Sequence, residues 1–269
     1  MLIVVKSIIN SINCVVCNLN VSGQFEYVLN EQPGILGADH AFIFKNGMKE
    51  MAAQHGMLAN FMCRPWSDRW NIHHFNHSLW SEDLKTNEFY DAEHKNCFSE
   101  VAEHWLAGLC KHGRAITALC SPTTNGYRLM KDMAMYPQKS DWGLDNRDVA
   151  FRVKNHSHDG FLVENRIPAA CNPYLVLAAT VAAGLDGIKN KLPLPKEMDP
   201  AAESIPITLE EALTALQEDS VIVDALGPDL IRWFIESKQQ IDLKIMSEFD
   251  PLNHDECLKK EREIYSLYV

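Results

Sequence analysis

The segment 172–195, which reads NPYLVLAATVAAGLDGIKNKLPLP, constrains the fold more than any other part of this chain. Asn172 suits a helix N-cap because its side chain accepts hydrogen bonds from the free backbone amides of the first turn. Pro173 suits the first helical position because it has no amide hydrogen to leave unpaired. Alanine, leucine and valine follow at helical spacing, before two glycines and a proline-rich exit. The pattern predicts a buried helix.

A second marker is SPTTNGY at 121–127, where Ser, Pro, Thr, Asn and Gly follow an apolar run and indicate a turn. Thr208, with Glu211 three residues later, indicates a capping box at the start of another helix. Other helices are predicted at 39–55, 100–112 (ending at Gly113) and 228–249, and strands at 25–29, 57–62, 72–79, 149–153 and 160–167. Strands interleaved with long helices, without βαβ regularity, indicate the α+β class.

Charge and composition exclude several function classes. The net charge is −11 with a pI near 5.4, and no Lys/Arg cluster reverses this locally, which disfavours nucleic-acid and anionic-membrane partners. Eight scattered cysteines in a chain of 269 residues indicate reduced, buried thiols. The apolar opening is interrupted by Lys6 and lacks a basic start, so we predict a strand there rather than a signal peptide. These features favour a cytoplasmic protein.

The two strings and their order resemble the glutamine synthetase family, whose catalytic domain carries an "NPTTN-Y" turn and later an "ANPYL…AAGLDGIKNK" helix. The resemblance runs from about Gly23 to the C-terminus. It implies a curved, mainly antiparallel sheet backed by helices over residues 21–269. Residues 1–20 form an apolar segment of uncertain role, too short for the smaller N-terminal β-domain of family members. That domain is therefore expected to be absent.

The resemblance also implies a chemistry. Such ligases phosphorylate the γ-carboxylate of glutamate with ATP, and ammonia then displaces the phosphate. The reaction needs divalent metals on carboxylate and histidine ligands, and Mg²⁺ or Mn²⁺ suits such ligands. Matching the motifs assigns metal-ligand positions to Glu26, His74 and Glu164.

The arginines that handle phosphate and ATP in the family are matched by Arg147, Arg152 and Arg166. Without the resemblance, these arginines would be interpreted as partners in structural ion pairs, and the two glutamates as solvated strand residues. The motif match instead implies a weak nucleotide pocket, with Mg²⁺ or Mn²⁺ accompanying ATP.

The chain departs from the family pattern at the reacting centre. The substrate-binding arginine falls on Leu129, and the catalytic glutamate falls on Met135, whose thioether cannot accept a proton at neutral pH. Arg128, one position away, is expected to point elsewhere. The second histidine of the metal motif becomes Asn76, and the glycine-rich substrate loop is replaced at 67–72 by SDRWNI. No catalytic residue is therefore assigned.

These losses favour a catalytically inactive homologue. Within the family the chain looks most like the non-catalytic vertebrate lens member. That resemblance implies a structural or chaperone-like role, with intermediate filaments as protein partners and self-association of the chain. The alternative is a residual ATP-dependent ligase that joins glutamate to ammonia, or another carboxylate to an amine.

Overall fold

The computed structural model describes residues 4–8, 17–18, 25–68, 70–132, 136–155, 157–167, 170–249, 253–266 and 268–269. Side chains are described from residue 27 onward, apart from that of Asp132. Within this part of the chain, no helix is both long enough and apolar enough to cross a bilayer.

The sheet is mainly antiparallel, as predicted. The strands are β1 (Val4–Ile8), β2 (Cys17–Asn18), β3 (Phe25–Glu26), β4 (Glu31–Pro33), β5 (Phe75–Trp80), β6 (Trp142–Leu144), β7 (Phe151–Asn155) and β8 (Phe161–Asn165). Six of them form one sheet in the order β4-β1-β5-β8-β7-β6, in which β6 and β7 are parallel and the other neighbours antiparallel. β2 and β3 form a separate antiparallel pair. The predicted strand of the apolar opening is β1.

Helices account for most of the rest of the described chain. They are α1 (Leu36–Gln54), α2 (Glu100–Cys120), α3 (Thr124–Asp132), α4 (Pro173–Lys189), α5 (Leu209–Glu218), α6 (Ser220–Leu226), α7 (Pro228–Ser237), α8 (Lys244–Met246) and α9 (His254–Tyr265). A π-helical segment, Lys238–Leu243, joins α7 to α8. The α+β class predicted from the sequence is confirmed.

The predicted start of α4 is confirmed at its cap. The side-chain oxygen of Asn172 accepts hydrogen bonds from the amides of Tyr174 (2.9 Å) and Leu175 (3.4 Å), and Pro173 occupies the first turn. The Thr208 hydroxyl caps α5 in the same way, by accepting from the amide of Glu211 at 3.1 Å. Local sequence therefore determines where both helices begin.

The hydrophobic core lies between one face of the sheet and the helices α2 and α4. Phe75, Phe151 and Val163 on the sheet and Trp105 on α2 are nearly or completely buried. These strand residues share a face because side chains alternate along a strand, and the opposite face is left for polar residues.

The prediction that the second helix ends at Gly113 is wrong, because α2 continues to Cys120. A Cβ atom at Gly113 would lie 1.9 Å from the Ser140 hydroxyl and 3.4 Å from the Phe151 ring. That hydroxyl donates a 2.6 Å hydrogen bond to the carbonyl of Cys110 on the same helix. The glycine therefore permits close packing inside the helix and does not end it.

The strand predicted at 57–62 is also wrong, because the segment is irregular. Its backbone groups bond to side chains instead of to a neighbouring strand. The side-chain oxygen of Asn60 accepts a hydrogen bond from the backbone amide of Met62 at 2.8 Å, and the side-chain amide of Asn71 donates to the backbone carbonyl of Met62 at 2.7 Å. Side-chain partners of this kind compete with strand pairing.

A buried histidine connects three helical elements. His112 on α2 contacts Asp186 on α4 through Nε2 at 2.9 Å, and Asp219 at the α5–α6 junction through Nδ1 at 2.6 Å. Lys111 also contacts Asp186 at 2.9 Å. Burial alone lowers the pKa of His112, but the bonds to the two carboxylates outweigh burial and the net pKa is raised. We call these four residues the His112 clasp.

Candidate functional site

Polar side chains lie opposite one another across three neighbouring strands. In the strand register, Asn76 on β5 faces Glu164 on β8, and Glu164 faces Arg152 on β7. Because side chains alternate, this row lies on the face of the sheet opposite Phe75 and Phe151. We call this the polar face.

Glu164 is at the centre of the polar face, and its carboxylate is 3% exposed. Its Oε1 atom lies 2.5 Å from Nη1 of Arg166 and 3.3 Å from Nδ1 of His74. Its Oε2 atom forms an ion pair with the ammonium of Lys154 and lies 3.5 Å from Nη1 of Arg152. Each carboxylate oxygen therefore has two nitrogen neighbours.

The cations keep this carboxylate ionised. Burial raises the pKa of Glu164, but the hydrogen bond from Lys154 and nearby positive charge outweigh burial, and the net pKa is lowered. Burial also lowers the pKa of His74, to about 4, despite the attraction of Glu164. Because the His74 ring is neutral at pH 7, the ammonium and guanidinium groups compensate the buried charge.

The structure brings together four of the residues predicted to form the site, namely His74, Arg152, Glu164 and Arg166. Arg147 is not among them, because its side chain is exposed and takes no part in the ion pairs around Glu164.

Two other predicted positions lie at or beyond the limits of the described chain. The backbone of Glu26 pairs with Cys17 between β3 and β2, and its side chain is outside the described part. Met135 lies outside the described residues altogether. The metal role assigned to Glu26 with His74 and Glu164, and the interpretation of Met135, therefore stay predictions.

The described side chains around Glu164 do not fit a divalent metal in this arrangement. Both oxygens of the carboxylate are already engaged, and three fixed cations surround it. Unit charges 4 Å apart interact by about 4 kcal/mol at an effective dielectric constant of 20, so a dication would meet strong repulsion. No group of three His, Cys, Asp or Glu side chains suited to a metal occurs in the part of the chain for which side chains are described.

An anion fits the same place better. The side chain of Arg166 is only 8% exposed, and its Nε atom is buried. This Nε atom has no hydrogen-bond partner among the described residues. Asp145 shares the guanidinium of Arg152. Buried donors of this kind are normally paired, so the unpaired Nε is consistent with an acceptor such as a phosphate oxygen.

The turn predicted at 121–127 covers only 121–123, because α3 begins at Thr124, and Asn125 in the first turn of that helix fixes it against the preceding loop. The side-chain oxygen of Asn125 accepts a hydrogen bond from the backbone amide of Arg64 at 2.7 Å, and the side-chain amide of Asn125 donates to the backbone carbonyl of Arg64 at 2.8 Å. The same amide group donates to the buried carboxylate of Glu261 on α9 at 2.8 Å. The turn is thereby tied to the C-terminal helix.

Arg128 binds the same carboxylate, that of Glu261. Its Nε atom donates to Oε1 of Glu261 at 2.8 Å, and Glu261 is fully buried. Burial lowers the pKa of Arg128, but the attraction of Glu261 outweighs burial and raises it. The guanidinium is therefore directed to α9 and does not replace a substrate-binding arginine at position 129.

Position 129 itself is apolar. Leu129 is 3% exposed and packs with buried Cys63 and partly buried Ala170. Burial raises the pKa of the Cys63 thiol to about 11, so the thiol stays neutral at pH 7. No charge in this small cluster would bind a substrate carboxylate.

The other histidines of this region do not join the polar face. His77 faces the core, where its Nε2 accepts a hydrogen bond from the indole of Trp105 at 2.9 Å. His73 lies 3.5 Å from the Cys171 sulfur through Nδ1, and burial lowers its pKa to about 4.

Lys154 was not predicted as a site residue. It follows Arg152 by two positions, and the period of a strand places both on one face. Strand period therefore indicates the face on which Lys154 lies, but not its contact with Glu164.

Comparison with known proteins identifies the family. The family described as "Glutamine synthetase, catalytic domain" matches residues 10–255. The chain belongs to the glutamine synthetase family. Lengsin of Rattus norvegicus is 35% identical over 228 residues, which are 81% of this chain and 40% of lengsin. Glutamate–methylamine ligase of Methyloversatilis universalis is 37% identical over 238 residues, 78% of this chain and 51% of the ligase.

The fold of this family member is also found in solved structures. A structure titled "GmaS/ADP complex" has a TM-score of 0.77 at 28% identity, over 90% of this chain and 57% of that one. The chain spans about half the length of these relatives, or less.

Proposed function

We propose that this member of the glutamine synthetase family lacks ligase activity, retains a phosphate-binding pocket on the polar face and acts as a structural or chaperone-like protein. The observation that carries the proposal is Leu129. It occupies the position of the family's substrate-binding arginine, and it is buried in an apolar cluster.

Two further contacts support the loss of activity. Arg128 is held by Glu261, so it does not supply the missing positive charge. Lys154 pairs with Glu164, the carboxylate that the resemblance assigns to a metal. Phosphoryl transfer depends on positioning and charge neutralisation, and a site without the substrate-binding charge and with its metal carboxylate engaged is poorly arranged for it.

The proposed ligand of the pocket is the phosphate portion of a nucleotide. Arg152 and Arg166 converge beside Glu164, and guanidinium groups are well suited to phosphate. The similar solved structure that is described as an ADP complex supports a nucleotide as the ligand. Mg²⁺ or Mn²⁺ would then arrive on the phosphates of ATP and be held weakly, since Mg²⁺ commonly binds through substrate phosphates together with carboxylates.

The first prediction is that the chain forms no γ-glutamyl product above background. Glutamate, ATP and ammonia would be supplied with Mg²⁺ or Mn²⁺, and product would be measured by mass spectrometry. The Glu164→Ala variant is the control, because background product does not depend on this residue. Product that disappears in the variant would contradict the proposal.

The second candidate function is a ligase for another amine. It is favoured by the 37% identity to glutamate–methylamine ligase and by the convergence of His74, Glu164 and Arg166. The same assay with methylamine in place of ammonia separates the candidates. Glu164-dependent γ-glutamyl-methylamide would establish the ligase, and its absence supports the inactive protein.

We also propose intermediate filaments as the partner, because the chain resembles the non-catalytic lens member. The exposed surface of α1 supports a protein partner, because the neighbouring residues Phe42 and Ile43 are 51% and 65% exposed. Exposed apolar patches of this kind mark interaction surfaces.

We expect the chain to sediment with preformed intermediate filaments, and Phe42→Ser with Ile43→Ser to reduce the bound fraction. Met198→Ser, at an exposed methionine outside α1, is the matched control. Equal recovery of all three proteins would contradict the role of α1, and sedimentation of the chain alone would indicate self-association.

A further inference from the structure

Lys154 is the residue of the polar face that the family motifs do not explain. His74, Arg152, Glu164 and Arg166 all match positions of the family pattern, whereas Lys154 is an additional cation on the same face. Its ammonium forms an ion pair with Oε2 of Glu164, and its side chain is 25% exposed against 3% for the glutamate. The amine therefore lies on the open side of a buried carboxylate.

A cation from solvent would meet a fixed positive charge at either oxygen of Glu164. At Oε1 this charge is the guanidinium of Arg166, 2.5 Å away, and at Oε2 it is the ammonium of Lys154, which belongs to the more exposed of these two side chains. Lys154 already supplies a positive charge there, and it is tethered to β7. A free ion has to displace this amine before it can coordinate the glutamate.

We propose that the ammonium of Lys154 takes the place of a divalent cation at Glu164, so that the polar face binds phosphate without metal. This inference rests on the phosphate pocket of the proposed function. Lys154, Arg152 and Arg166 carry three positive charges, and Glu164 and Asp145 offset two of them. Among the described side chains of the polar face, one positive charge is left over for an anion.

The unpaired Nε of Arg166 is a second and independent indication of an anion. This donor is buried on the polar face and has no partner among the described residues. Guanidinium groups form strong, directional hydrogen bonds to phosphate oxygens, and a neighbouring ammonium adds positive charge without a fixed geometry. The ligand class is therefore inorganic phosphate or the terminal phosphate of a nucleotide.

The metal arm of the test measures binding of Mn²⁺ alone, by electron paramagnetic resonance of the free ion. We expect Lys154→Met to bind Mn²⁺ about tenfold more tightly than the wild type, because the competing charge is removed. Lys154→Arg should behave like the wild type. Lys85→Met, at a lysine that is 80% exposed, is the matched control. Equal Mn²⁺ binding by Lys154→Met and wild type would overturn the inference.

The anion arm measures phosphate and ADP by calorimetry, in EDTA and in Mn²⁺. We expect the wild type to bind equally well in both buffers, and Lys154→Met to bind about tenfold more weakly in EDTA. Binding of both ligands indicates a phosphate site, and binding of ADP alone indicates a nucleotide site. Wild-type binding that requires Mn²⁺, or no binding in either buffer, would overturn the inference. Neither of these results would contradict the proposed loss of ligase activity, because that loss is tested separately by product formation.

Thermal unfolding of each variant controls for misfolding. Lys154 is partly exposed on β7, so we expect folded Lys154→Met protein. If Lys154→Met does not fold, Lys154→Gln replaces it in both arms with the same expected results.

Discussion

Leu129→Arg is expected to destabilise the protein by about 3–5 kcal/mol, the typical cost of an uncompensated buried charge. It is also expected to give no ligase activity, although it restores the residue type of the family at this position. Leu129 packs against Cys63 and Ala170, neither of which can pair with a guanidinium. The charge of Lys45 acts on the Cys63 thiol, so a second cation would be repelled there.

Urea unfolding followed by circular dichroism measures the effect. Leu129→Met is the matched control, and we expect it to cost less than about 1.5 kcal/mol because volume and polarity are nearly kept. If Leu129→Arg were as stable as Leu129→Met, the position would have an acidic partner or solvent access. The interpretation that position 129 is now a closed apolar position, unable to hold a substrate-binding arginine, would then be wrong.

His112→Gln is expected to lower the free energy of unfolding by about 1.5–3 kcal/mol at pH 6, the range for hydrogen bonds to charged groups. The variant removes the protonated ring that joins Asp186 to Asp219. The pKa of His112 is raised in the folded protein. The clasp therefore contributes its full stability below the unfolded pKa of about 6.5 and loses it as pH rises through the folded value.

The difference between wild type and His112→Gln should therefore shrink between pH 6 and pH 9. His94→Gln is the control, because His94 is 59% exposed and its contact with Asp91 is 3.9 Å long. A difference that is the same at both pH values would mean that His112 is neutral in the folded protein.

The elements with strong local signals could be predicted from the sequence. Asn172 and Pro173 determine where α4 begins, and alternation indicated β7 and β8 to within a few residues. Alternation also separates His77, which faces the core, from His74, which faces Glu164. These features depend on neighbours in the chain, which is what sequence patterns report.

The errors come from partners that are distant in the chain. Gly113 looks like a helix end until the contact with Ser140 is known. The segment 57–62 looks like a strand, but the side-chain amide of Asn71 donates a hydrogen bond to one of its backbone carbonyl groups. Arg128 was expected to point away from the substrate position, and its partner Glu261, 133 residues later, could not be inferred from spacing.

The site was only partly predictable for the same reason. Motif matching found Arg152, Glu164 and Arg166, and the structure brings them together. Lys154 was missed because it belongs to no motif, although its strand position pointed to the same face. Its pairing with Glu164 depends on the register of β7 with β8, which only the fold determines.

Positional isotope exchange in ATP tests the central claim, the loss of phosphoryl transfer, most directly. ATP with ¹⁸O at the β–γ bridge would be incubated with the chain, glutamate and Mg²⁺ or Mn²⁺, without any amine. Reversible phosphorylation of glutamate would scramble the label into the β non-bridging positions, whichever amine the protein uses. We expect the label to stay in the bridge, as in the Glu164→Ala variant. Scrambling in the wild type that is lost in Glu164→Ala would show that the site still phosphorylates glutamate, and the chain would then be a ligase.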